Sequence, residues 1–351
     1  MNYLVGYIGT YTQGDGRGKG IYSFTLDLKS GRAENISLAA LSENPSYLAL
    51  SHSGKYLYAV NETGNFEGKP SGAVSVFFVG EKEKLSFIKQ VLSGGKDPCH
   101  IALNKKNTHA VVSNYTSGTI SVFPLENSLE DSCQIIQLNG SGKNKARQES
   151  SHAHFFMFDN NCDYGFACDL GSDCVNIYSF NENVKDPLKE FSSYTCVSGA
   201  GPRHAVFNNN YKTVYVLNEL NSTIDVLEYN GKGNVGKKQS ISSLQDFPST
   251  ANTTAAIKIS PCGNFLYASN RGHDSISVYK IAENGLLQFT DTIPSGGKTP
   301  RDFAVDPSGN FLLACHQDSD NLVIFRIEKN SGLFQKVYEY EVPSGVCIIF
   351  A

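Results

Sequence analysis

Arg203, Glu219, Arg271 and Arg301 are the side chains in this 351-residue chain whose types and spacing could act together on one reacting group. A guanidinium can sit where a carbonyl oxygen becomes an oxyanion, or grip a phosphate through paired hydrogen bonds. A nearby carboxylate or imidazole can move the proton. His152 and His154 form an H-x-H after the basic loop GSGKNKARQESS (140–151), which contains Gln148. On a strand the two imidazoles share a face and could begin a metal site. No third ligand follows at a diagnostic spacing, so a catalytic or substrate-bonding histidine is the better reading. The loop itself reads as a solvated hairpin or as a flap.

These residues fall in register because the chain repeats. Six copies of one pattern begin at 45, 98, 153, 202, 254 and 300: a short apolar run, a turn, and a second apolar run closed by a polar residue 16 positions after the start. The closing residues are Asn61, Asn114, Asp169, Asn218, Asn270 and His316. Third runs such as GAVSVFFV (72–79) and DSISVYKI (274–281) follow, then a more polar fourth. Short runs rich in Val, Ile, Tyr and Phe, split by turns such as PSGN, read as antiparallel strands. Four such strands per unit of about 50 residues predict an all-β, seven-bladed β-propeller. A strand beginning at Pro343 would join the runs at 3–12, 20–27 and 34–41 in the seventh blade, so the N- and C-terminal strands close the ring and 1–351 forms one domain. An open solenoid would need capping ends.

Antiparallel pairing puts each first-strand start beside the end of its second strand, at one mouth of the central channel. That rim then collects Ser46, Cys99, His154, Arg203, Ala255 and Arg301 with Glu62, Tyr115, Glu219, Arg271 and Gln317. Charged groups converging in a concave site are the natural candidates for function, whereas Asn at a strand end commonly bonds local backbone.

Composition excludes several classes. Thirty basic against 34 acidic residues leave a net charge of −4, with no bulk field for nucleic acid, and no apolar stretch reaches membrane-spanning length. Nine scattered cysteines without a C-x-x-C, and a start lacking a signal-peptide pattern, lead to the expectation of a cytoplasmic protein. The TIPSGGKT segment (292–299) has Thr292 where a phosphate loop needs Gly, so it reads as a hairpin.

RQESSHAH (147–154), GPRHAVF (201–207), VLNE (216–219), SNRGHDSISVY (269–279) and PRDFAVDPSGNFLLACHQDSDNL (300–322) resemble the seven-bladed 6-phosphogluconolactonase family, which is related to the fungal carboxy-cis,cis-muconate lactonizing enzyme. The resemblance spans essentially the full chain and departs from the family's pattern at His316, where Asn is usual. It implies a lactone site with His154, Arg203, Glu219 and Arg271 as catalytic residues, and Arg301, Gln317, His152 and Gln148 as substrate-binding residues. The implied reaction is hydrolysis of 6-phosphoglucono-δ-lactone in the pentose phosphate pathway, with no metal and no cofactor. Either Glu219 or His154 is the base that activates water; Arg203 is the oxyanion or carboxylate clamp, and Arg271 and Arg301 hold the phosphate. No G-x-S-x-G nucleophile motif occurs. A lactone-forming enzyme and a non-catalytic scaffold are the alternatives. The expected partner is a small phosphorylated sugar lactone, for a monomer or weak homodimer.

Overall fold

The computed structural model describes residues 3–81, 84–125, 129–245 and 251–351. Among them, 28 strands form seven four-stranded antiparallel sheets, arranged as the blades of a propeller. The innermost strands, in ring order, are β4 (Pro45–Leu50), β8 (Pro98–Leu103), β12 (Ala153–Phe158), β16 (Pro202–Phe207), β20 (Thr253–Ile259), β24 (Pro300–Val305) and β28 (Gly345–Phe350). Each touches the next, and β28 returns to β4, so the ring is closed. No helix among the described residues is long and apolar enough to cross a membrane.

Closure takes the expected form. β28 pairs with β1 (Tyr3–Thr10), followed outward by β2 (Gly20–Asp27) and β3 (Ala33–Leu41). The last strand starts two residues later than Pro343, because Ser344 adopts a φ of 45° and its N–H and hydroxyl are taken by Asp320. Beyond β1, the Ile348 N–H also donates to Asp302 of the sixth blade at 3.1 Å.

The hydrophobic core lies between blades rather than inside any one of them. Tyr58, Val60, Val74 and Val76 of the first blade pack against Ile101, Ala110, Val112 and Phe123 of the second, and equivalent clusters recur around the ring. Both faces of the second and third strands are therefore covered, which explains their near-continuous apolar runs. Outer strands such as β27 (Phe334–Glu341) alternate with solvent.

One irregularity recurs and it positions the site. Pro45 faces Asn61 while Tyr47 faces Val60, which leaves Ser46 out of the ladder. The same slip leaves out Cys99, His154, Arg203, Arg301 and Val346. In the fifth blade the shift spans Ala255 and Ala256. A bulge re-aims a side chain that regular pleating would commit to one sheet face, so each first strand presents one residue out of register at the same level. The Asn residues at second-strand ends anchor this mouth: Asn61, Asn114 and Asn270 bond neighbouring serines, threonines or carbonyls.

Deleting residues 343–351 would remove an inner strand and bare the edges of β1 and of the adjoining cores. The truncated chain is expected in the insoluble fraction, or with its cooperative melting lost. A soluble monomer with the full-length Tm would show that β28 is dispensable.

Candidate active site

Glu219 is the first residue after β17 (Thr213–Asn218), and its N–H is held by the Gly201 carbonyl at 2.7 Å. Its side chain, 3% exposed, meets three guanidinium groups. Arg203 Nε lies 3.0 Å and Arg271 Nη2 2.9 Å from Oε2, and Arg147 Nη2 lies 2.6 Å from Oε1. Arg203 is the bulge residue of β16 and Arg271 ends β21 (Phe265–Arg271), while Arg147 comes from the loop before β12. Burial alone raises the Glu219 carboxyl pKa, but Arg271, Arg203 and Arg147 outweigh it and hold the group well below the usual carboxylate range. Burial, with repulsion from Arg271 and Arg301, pushes Arg203 down to about 9, against the pull of Glu219. Arg203 also reaches the Ala255 carbonyl, and Arg271 donates to the Thr254 carbonyl at 2.9 Å. The Nε atoms of Arg203 and Arg271 nevertheless make no aligned hydrogen bond.

A second charged group occupies the other side of the mouth. Tyr11, just past β1, donates to Glu62 Oε1 at 2.9 Å, and the Arg301 guanidinium lies 5.2 Å from the Tyr11 ring centroid. Arg301 Nη2 stands 3.8 Å from Glu62 Oε2, an ion pair too long for a hydrogen bond. Burial raises the phenol pKa of Tyr11 and the thiol pKa of Cys99. Cys99 and Arg203 each sense Arg301 electrostatically, as does Glu219, so both groups bear on one space.

His154 lies between these groups with Nδ1 unpartnered, edge-on to Tyr115 and His204. Burial, reinforced by Arg203, pushes its pKa well below the ordinary histidine value, so the ring is neutral. Deeper in the channel His100 and His204 pack with Tyr47 and Phe155, and burial depresses both imidazoles too. The partners fix their tautomers. Arg203 Nη1, which can only donate, lies 3.1 Å from His204 Nε2, and the Phe156 N–H donates to His100 Nδ1 at 3.3 Å. Lys258 and Asp302 form an ion pair of 3.2 Å in the same channel, and the lysine is raised by Asp302 despite its burial.

The remaining residues singled out in the sequence are placed differently. His152 stacks on Tyr115 at 4.5 Å, with Nδ1 3.1 Å from the Tyr115 carbonyl oxygen and Nε2 3.2 Å from Glu149. Gln148 is fully buried; its amide donates to the Leu170 carbonyl and to Asp173, and accepts from the Asn144 N–H. Both side chains shape the 140–151 loop rather than leave polar atoms free. Gln317 is half-buried with its N–H on the Thr299 carbonyl, and His316 Nδ1 lies 3.2 Å from the Asn321 carbonyl oxygen. Two residues escaped the sequence reading. Tyr11 gave no signal because it precedes the first complete repeat, and Arg147 was one of several basic residues in a loop. Only the loop's direct run into His152 pointed to it. Among the described residues no group of three or more His, Cys, Asp or Glu could hold a metal ion. A cavity of about 770 Å³ lies at the opposite end of the blades, between the fourth and fifth, beside Tyr211, Glu228 and Asn284.

A closed seven-bladed propeller that gathers arginines, a buried carboxylate and a neutral histidine at one channel mouth has a concave charged site of the kind that receives small molecules. More narrowly, residues 5–350 match the family described as "Lactonase, 7-bladed beta-propeller", and the chain belongs to it. It is 33% identical over 298 residues to the 6-phosphogluconolactonase of Bacillus subtilis (strain 168), covering 84% of this chain and 82% of that protein. It is 36% identical over 293 residues to the 6-phosphogluconolactonase of Formosa agariphila, 80% of each chain. The solved structure of the Pseudomonas aeruginosa periplasmic gluconolactonase PpgL superposes with a TM-score of 0.93 at 27% identity, over 99% of both chains. That likeness overturns the cytoplasmic expectation. The cysteine evidence behind it was weak for a physical reason: Cys99, Cys168, Cys196, Cys315 and Cys347 are buried with raised pKa values. Thiols protonated and shielded in this way resist oxidation and so do not report the compartment.

The depressed histidines make stability depend on pH with a definite sign. Their contribution is complete above the unfolded histidine pKa of about 6.5 and is lost as pH falls below it, because only the unfolded chain takes up the protons. Each such residue costs about 1.4 kcal/mol per pH unit in that window. His100→Asn, which keeps an acceptor near Nδ1, is expected to reduce proton uptake on unfolding between pH 6 and 5 by about one relative to the parent. Denaturant titrations at each pH give the slope, and identical slopes in parent and variant would mean that His100 titrates normally.

Proposed function

We propose that this lactonase hydrolyses 6-phosphoglucono-δ-lactone to 6-phosphogluconate without a metal, the whole of residues 1–351 working as one domain. One observation carries the choice of substrate: four guanidinium groups, Arg147, Arg203, Arg271 and Arg301, meet two carboxylates, Glu219 and Glu62, leaving two positive charges uncompensated at the mouth. Like charges in a partly desolvated site favour an anionic partner, and a phosphate dianion supplies two negative charges.

Water attacks the lactone carbonyl while the unpartnered Nδ1 of neutral His154 accepts its proton. The new C–O bond turns the carbonyl oxygen into an oxyanion, which the Arg271 Nε–H, without a hydrogen-bond partner, and the Arg203 guanidinium, ion-paired to Glu219, meet. Collapse breaks the ring C–O bond, and the leaving oxygen takes the proton from the His154 imidazolium. The low pKa of His154 makes it a modest base but a strong acid in that second step. Glu219, with both oxygens claimed by guanidinium groups and its basicity suppressed, is a positioning residue that keeps the arginines together. Arg301, on the other side of the mouth from the Glu219 cluster, is the phosphate ligand. Likeness to the periplasmic gluconolactonase favours unphosphorylated glucono-δ-lactone as a second reading.

Steady-state kinetics on phosphorylated and unphosphorylated gluconolactone test this. His154→Asn and Arg203→Met are expected to lower kcat by about 10² or more with little change in KM. Arg301→Met should raise KM for the phosphorylated lactone by about tenfold and hardly alter that for the other. Full kcat in His154→Asn would remove the base, and equal KM changes on both lactones would remove the phosphate role. Chelation of the purified enzyme is expected to leave the rate unaltered; loss on chelation with recovery on adding a divalent ion would return His152 and His154 to the role of ligands.

A further inference from the structure

Glu62 and Glu219 occupy the same place in the repeat, the residue after the Asn that closes a second strand, in the first and fourth blades. Three blades apart is as far as a ring of seven allows, so the two carboxylates face the channel mouth from opposite sides. Their surroundings differ. Both oxygens of Glu219 are taken by arginines. Glu62 has one oxygen fixed by the Tyr11 hydroxyl, while Oε2 is buried, has no hydrogen-bond partner and sits 3.8 Å from Arg301. Tyr11 in turn is locked under the Arg301 guanidinium, so the carboxylate is held in one orientation.

The mouth is rich in donors and poor in acceptors. Its arginines can serve a carbonyl, a ring oxygen or a phosphate, but none can receive a hydrogen bond from a sugar hydroxyl. Acceptors there without a hydrogen-bond partner are His154 Nδ1, the Asn114 and Asn218 side-chain oxygens at second-strand ends, and Glu62 Oε2, which alone of these belongs to a carboxylate. A buried carboxylate oxygen without a donor is costly to leave so, and a hydroxyl that fills it is selected strongly over a hydrogen at the same carbon.

We propose that Glu62, oriented by Tyr11 and flanked by Arg301, is the specificity residue that accepts a ring hydroxyl of the substrate and so restricts the enzyme to polyhydroxylated lactones. The inference rests on the lactone-hydrolysing reading above and deepens it. It assigns the carbonyl end of the substrate to the fourth and fifth blades and a hydroxylated edge to the first.

The test compares glucono-δ-lactone with δ-valerolactone, which has the same ring and no hydroxyls. In Glu62→Gln the ratio of the two kcat/KM values should fall by about 10- to 100-fold, as for a lost hydrogen bond to a charged acceptor. Tyr11→Phe, which frees the carboxylate without removing it, should lower the ratio by about 3- to 10-fold. It carries the test if Glu62→Gln does not fold. A ratio unchanged within twofold in a folded variant overturns the proposal. Calorimetric binding of 6-phosphogluconate provides a readout that needs no turnover. If the parent binds this product but hydrolyses neither lactone, the hydrolytic reading fails while the clamp is still judged by the change in Kd of Glu62→Gln, expected at about 10-fold or more. A parent that neither binds nor hydrolyses overturns both.

Discussion

A carboxylate buried as deeply as Glu219 keeps its charge only if cations replace the water it has lost. Here the replacements come from three separate stretches of chain: a bulge in the fourth blade, the end of a strand in the fifth, and the loop that leads into the third. Arg203 shares a blade with Glu219, but Arg271 and Arg147 reach it only because the fifth and third blades stand on either side of the fourth in the ring. The site is therefore a consequence of closure, and closure in turn rests on β28 lying beside β1 between the sixth and first blades. The dependence also runs the other way, because Arg203 at 2% exposure would be an uncompensated buried charge without Glu219.

The bulge at the head of each inner strand makes this arrangement possible within a regular fold. Strand pleating alone would send successive side chains to the two faces of a blade, where they meet the apolar cores between blades. Slipping the register by one residue releases Ser46, Cys99, His154, Arg203 and Arg301 from that alternation at a common level. The scaffold is repeated while the residue it presents varies, so one backbone device delivers a thiol, an imidazole and two guanidinium groups to one mouth.

Electrostatics then separates the roles of groups that look alike on paper. Surrounded by arginines, Glu219 is too weak a base for proton transfer, whereas the same cations together with burial keep His154 neutral and able to accept a proton. Beneath them the neutral imidazoles of His100 and His204 pack with Tyr47 and Phe155, beside the Lys258–Asp302 ion pair whose opposite charges offset each other. The arginines above consequently act in a medium less screening than water.

Much of this was legible in the sequence. Strand lengths, the 16-residue interval, the shared terminal blade and the convergence of His154, Arg203, Glu219, Arg271 and Arg301 follow from local periodicity, since alternation and turn residues repeat once per blade. What periodicity could not decide is which side chains saturate one another. Glu62 and Glu219 are equivalent by register, yet one is surrounded by three arginines and the other keeps an open oxygen. Gln148 and His152 stand in the same motif as His154, yet their polar atoms are spent on the loop and on Tyr115. Tyr11 and Arg147 lie outside the repeat and find their partners 51 and 72 residues away. Such pairings depend on the angle between blades and the path of one loop. Only the closed ring sets these, because a hydrogen bond is decided by tenths of an ångström, whereas a repeat specifies position only to the nearest residue.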